Sequence, residues 1–71
     1  MSIRAILTRR LVEALRDQGN NITDMASLCG VSRRTIYDWL EKDQGAQKQH
    51  IEILVKLTGE KLTEAEKRLI E

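Results

Sequence analysis

The chain has 71 residues, 41% apolar and 32% charged, and its 12 Lys and Arg against 11 Asp and Glu leave a formal net charge of +1. That length predicts one domain, which buries only about 60% of the surface of its unfolded chain. A single cysteine excludes an internal disulfide, and Cys29 with His50 are too few soft ligands for structural zinc. Stability must therefore come from packed apolar side chains, with dimerisation as a further source. No apolar run is longer than that at Ile53-Leu54-Val55, so no membrane span is expected, and the N-terminus lacks the apolar core of a signal peptide. These features predict a cytoplasmic protein, or a nuclear one if eukaryotic.

In chain order, the first helix is predicted over Ile3–Gln18, with Ser2 as its N-cap. Ile3, Leu7, Leu11 and Leu15, with Ile6 and Ala14 beside them, form a wide apolar face, and Arg9, Glu13, Arg16 and Asp17 lie mostly opposite. Gly19 ends it. The second helix begins after Asn21 or at Thr23 and ends near Cys29. The third starts at Ser32 as N-cap and reaches about Lys42. A loop at Asp43-Gln44-Gly45 leads to a fourth helix over Ala46–Thr58, closed by Gly59. The capping-box spacing of Thr63 and Glu66 signals a fifth, carrying Leu69 and Ile70. Nothing alternates with period two, so no sheet is expected.

The fourth helix carries two apolar stripes. Ile51, Leu54 and Val55 form one; Ala46, Ile53 and Leu57 form the other, more than about 100° away. One stripe can pack on the core, and the other must meet the fifth helix or a partner chain. The run from Lys61 to Arg68 mixes signs and reads as a solvated face.

The most informative stretch is ITDMASLCGVSRRTIYDWL, Ile22 to Leu40. Ala26 is followed four residues later by Gly30. The small residue lets two helices approach, and the glycine permits the positive φ of a three-residue turn. Val31 anchors the turn. Met25, Leu28 and Cys29 supply an inner face before it, and Ile36, Trp39 and Leu40 one after it. Trp39 reads as core, Cys29 as a buried small hydrophobe, and His50 as a surface residue.

This segment resembles the helix-turn-helix of phage and bacterial regulators of the Cro and lambda-repressor type. GVSRRTIYDWLEK is similar to the string after the turn in those regulators and in transposase and terminase DNA-binding modules. Leu11 to Lys42 is also similar to the DNA-binding domain of Fis and of bacterial enhancer-binding activators. Two further predicted helices after the third bring the chain nearer the Cro-like arrangement.

The resemblance implies that the third helix lies in the major groove of DNA. Its exposed side would then read bases through Arg33, Arg34, Tyr37 and Asp38, an arginine clamping guanine O6 and N7. Asp38 is expected to orient Arg34, one turn before it, or to accept from cytosine N4. Asn21, Thr23, Ser27, Ser32, Thr35 and Lys42 are the phosphate-contact candidates. A near-neutral chain should bind DNA weakly as a single copy, because neutralised phosphates supply much of the affinity, so a homodimer is favoured.

The expected fold is an all-α compact bundle of about five helices containing a helix-turn-helix, one domain over 1–71 with the motif at 22–41 and C-terminal helices at 46–58 and 63–70. The expected function is a sequence-specific double-stranded-DNA-binding transcriptional regulator, a repressor of phage, prophage or plasmid type, acting in the bacterial cytoplasm or an infected host. Alternatives are the recognition module of a transposase, terminase small subunit or excisionase, a Fis-like bending protein, or a helical protein-interaction domain that does not bind DNA. No catalysis, metal, cofactor, small-molecule ligand or membrane partner is expected, because the chain has no phosphate loop, metal cluster or nucleophile with a paired base.

Overall fold

The computed structural model describes residues 2–71; Met1, the first residue of the expected domain, lies outside the described residues. Five helices follow one another: α1 (Ile3–Asp17), α2 (Ile22–Cys29), α3 (Arg33–Glu41), α4 (Lys48–Thr58) and α5 (Glu64–Lys67). The described residues contain no strand. The fold is all-α, as the periodicity predicts.

Local chemistry starts most of these helices. The Ser2 hydroxyl accepts from the Ala5 amide at 3.0 Å, and Asn21 Oδ1 accepts from the Asp24 amide at 2.8 Å. Asn21 rather than Thr23 is therefore the cap of α2. The Ser32 hydroxyl caps α3 through the Thr35 amide at 3.3 Å. Thr63 and Glu66 close a reciprocal capping box on α5. Each bond satisfies an amide that the first helical turn leaves without a partner.

α1 is the central strut and touches each of the other four helices. Its buried arc is Ala5, Leu7, Thr8, Leu11, Val12 and Leu15. Met25, Ala26 and Cys29 from α2, Ile36 and Trp39 from α3, Ala46, and Ile51 and Leu54 from α4 complete the core. Two predicted members of the α1 face fall outside it: Ile3 is 53% exposed and Ile6 49%. Ile6 lies roughly 140° around the helix from Leu11 at 100° per residue. Ile3 keeps the spacing of four but sits in the first turn, and the packed arc begins at Ala5. Leu28, expected on the inner face of α2, is 46% exposed, because Met25, Ala26 and Cys29 occupy that face.

The C-terminal half departs further from expectation. α4 begins at Lys48, not Ala46, and its N-cap Gln47 makes no side-chain capping bond. Ala46 is instead buried in the loop, tied to α1. Its amide donates to the Thr8 hydroxyl at 2.9 Å, and that hydroxyl donates to the Arg4 carbonyl at 2.7 Å. Arg4 Nη1 donates back to the Ala46 carbonyl at 3.4 Å. A long-range pair of bonds thus overrides the local pattern that would extend the helix.

The α5 helix covers four residues, and Leu69 and Ile70 follow it in i→i+3 turns. It rests on α1 and makes no direct helix-to-helix packing with α4. Its flanking residues Leu62 and Ile70 line a groove with Val55. The stripe facing the C-terminal segment is therefore the Val55 side of α4; Ile53 and Leu57 are half-buried on the other side. Glu66 also departs from expectation. It lies within the supposedly solvated run, yet it is buried and takes Arg10 bidentately at 2.8 and 3.1 Å. Burial alone would raise its pKa. The Arg10 hydrogen bonds and charge, with the Thr63 amide, outweigh that and hold the carboxyl below the usual carboxylate range.

Candidate nucleic-acid interface

The turn between α2 and α3 is built by backbone geometry that glycine makes cheap. Gly30 adopts φ 70° and ψ 33°, the left-handed region. Its amide donates to the Ser27 carbonyl at 3.2 Å, and the Val31 amide reaches the Ala26 carbonyl at 3.0 Å. The chain is thereby reversed within three residues, and the Ser32 cap launches α3 at once. Trp39 and Ile36 then lock α3 inward, at 4% and 0% exposure.

That lock determines what α3 presents outward. Ser32, Arg33, Arg34, Tyr37, Asp38, Glu41 and Lys42 line one shallow groove of about 620 Å³. It gathers all four base-reading candidates, with Ser32 and Lys42 from the phosphate set. Asn21, Thr23 and Ser27 are exposed on and before α2, outside this groove. Thr35 turns to a second, smaller cleft with Asp38, Trp39, the Gln44–Gln47 loop and His50.

The charges are arranged differently from expectation in one respect. Asp38 pairs with Lys42 at 3.4 Å rather than with Arg34. On a helix, an acid preceding a base by four residues is the favourable order, and Arg34 before Asp38 is the reverse. Among the described residues, Arg33 and Arg34 are left with no hydrogen bond or ion pair, whereas Arg10, Arg16, Lys42 and Lys67 each hold a carboxylate. Two guanidinium groups thus stand side by side in the groove, uncommitted. The Ser32 hydroxyl is already engaged, within 3.1 Å of Thr35 Oγ1 and accepting the Thr35 amide. Asn21 uses its carbonyl oxygen as a cap and keeps its amide N–H groups free to donate.

Sequence reasoning missed the residues that set the back of this site. His50 is half-buried, its ring 5.6 Å from that of Trp39 and tilted by 49°. Thr8 and Arg4 hold the loop that leads from α3 into α4. No local signal marks the Thr8 and Arg4 contacts with Ala46, which join residues 38 and 42 positions apart. Cys29 is buried, and burial pushes its thiol pKa up, away from the reactive thiolate. No group of three or more His, Cys, Asp and Glu among the described residues could hold a metal ion. Among the described residues, no helix is long and apolar enough to cross a membrane.

Residues 9–46, just over half of the chain, match a family model described as a helix-turn-helix domain. The chain belongs to the helix-turn-helix domain family. No curated protein and no solved structure matches it. The family match spans α1 from Arg9, both motif helices and the loop as far as Ala46. It covers the Gly30 turn and every residue of the α3 groove. Helix-turn-helix membership supports a DNA-binding regulator in general, and domains of this family are binding modules rather than enzymes as a class.

Proposed function

We propose that this helix-turn-helix chain is a sequence-specific regulator of transcription that binds double-stranded DNA as a homodimer, of the small Cro-like repressor type found in phage, prophage and plasmids. The observation that carries this reading is the pair Arg33 and Arg34, exposed in the α3 groove without an internal partner. A guanidinium free of carboxylates can present two parallel N–H groups to guanine O6 and N7. Tyr37, 48% exposed beside them, can meet a thymine methyl or a phosphate. The Asp38–Lys42 pair is exposed enough to open at little cost, releasing Lys42 to phosphate and Asp38 to cytosine N4. Asn21, Thr23 and Ser27 would meet the backbone where α2 crosses it.

With a net charge of +1, one copy has few phosphates to neutralise. Two copies on a palindromic operator, with half-sites about 34 Å apart, double the contacts. Repression would follow from occupying the promoter. Selection of sites from random duplex DNA at low salt tests the reading. A palindrome with fixed half-site spacing is the expected product. No enrichment at any salt would overturn DNA binding, and a large bend with loose sequence preference would make the protein architectural instead.

A further inference from the structure

We infer that Glu41 reads a cytosine and is a specificity-determining residue of the α3 groove; the inference rests on the DNA-binding reading. Glu41 is the last residue of α3 and lies exposed in that groove with Arg33, Arg34, Tyr37 and Asp38. It stands about two helical turns beyond Arg34, so the two belong to one stripe of the helix. Among the described residues it makes no hydrogen bond or ion pair, whereas Asp38 holds Lys42 at 3.4 Å. Two local rules oppose an acid here. The C-terminal end of a helix carries partial negative charge, and the last turn of α3 has no basic residue to offset it. A carboxylate turned toward a phosphate backbone also adds repulsion where the free arginines supply attraction. Such a charge weakens every complex except one in which it meets a donor, and that difference is specificity.

The chemistry of the carboxylate selects the base. An ionised carboxylate only accepts hydrogen bonds. In the major groove guanine O6 and N7 and thymine O4 are acceptors too, so those bases set lone pair against lone pair. The donors are adenine N6 and cytosine N4. Adenine carries the N7 acceptor beside its amine and suits a side chain that both donates and accepts, whereas cytosine offers its amine alone. Asp38 reaches such a base only by giving up Lys42; Glu41 gives up nothing. At 1.5 Å per residue Glu41 lies about 10 Å along α3 from Arg34, about three base-pair steps for a helix lying along the groove. The cytosine therefore occupies a position distinct from that of the Arg34 guanine.

The test is selection of sites from random duplex DNA with the full chain, wild type beside Glu41→Gln and Glu41→Ala. Titration then follows on duplexes carrying each base at the position where the selected sites differ. Wild type is expected to prefer cytosine there by about tenfold over the other bases. Glu41→Gln keeps the shape of the side chain and adds a donor, so it is expected to lose that preference and favour adenine at the same position. Glu41→Ala is expected to accept all four bases alike there. Both variants should bind unrelated duplexes more tightly than wild type, and preference at the other positions should stay as it was. Variants that gain affinity equally on every sequence, with the selected site unchanged, would make Glu41 a bystander charge and overturn the inference while the DNA reading stands. A wild type that selects no sequence at all would overturn both.

Discussion

Arg34 and Asp38 stand one helical turn apart, yet the aspartate turns to Lys42, and that choice leaves the arginine uncommitted. If Arg34 clamps a base, Arg34→Ala is expected to cost about 1–3 kcal/mol of binding and to relax preference at one base position. Titration against the selected site and its single-base variants measures both. An equal loss on every sequence would place Arg34 on phosphate. Trp39 acts on the inner side of the same helix. Its burial against Ile36 and His50 predicts that Trp39→Ala destabilises the fold by about 3–5 kcal/mol in denaturant titration.

Among the elements, the α3–α4 loop owes its path to tertiary contact. Gly45 has an ordinary φ, so conformational freedom does not explain it. A Cβ there would fall on the aliphatic stem of Arg4, within 2.8 Å of Cδ. Gly45→Ala must therefore push Arg4 or the loop aside, at a cost of roughly 1–3 kcal/mol for overpacking. The Arg4→Ala background removes Cγ and Cδ but keeps the Arg4 Cβ at 2.9 Å, so it should recover part of that loss, and a double-mutant cycle by thermal denaturation reads the coupling. Gly30 differs, since its surroundings are open but its φ of +70° is one that L residues rarely adopt. Gly30→Ala is expected to cost about 1–2 kcal/mol with no rescue from a neighbour.

At the scale of the whole molecule, one buried carboxylate ties the C-terminal segment to the central helix. Glu66 titrates below its ordinary value in the folded state. A carboxylate whose folded pKa is depressed adds stability above its unfolded pKa, and that contribution is lost as pH falls through the folded one. Stability is thus expected to decline from about pH 4 downward. Glu66→Gln should cost about 1–3 kcal/mol at neutral pH and flatten that acid limb in denaturation curves taken from pH 7 to pH 3. A wild-type acid limb no steeper than that of the variant would place the acid sensitivity elsewhere.

The helices themselves were legible in the sequence because their signals are local. Ser2, Asn21, Ser32 and Thr63 are caps within three residues of the amides they satisfy, and Gly30 marks a turn that only positive φ permits. The identity of the outward residues of α3 followed too, since Ile36 and Trp39 define the inward side by spacing alone. Tertiary structure decided what depends on partners distant in sequence. Thr8 and Arg4 capture Ala46 and shorten α4. Arg10 draws Glu66 out of a run whose mixed charge reads as solvated. Met25, Ala26 and Cys29 fill the inner face of α2 and leave Leu28 outside. Periodicity says that a helix has an apolar face, but the width and direction of that face are set by which neighbours pack against it. A hydrogen bond spanning some forty or fifty residues leaves no mark in the local pattern.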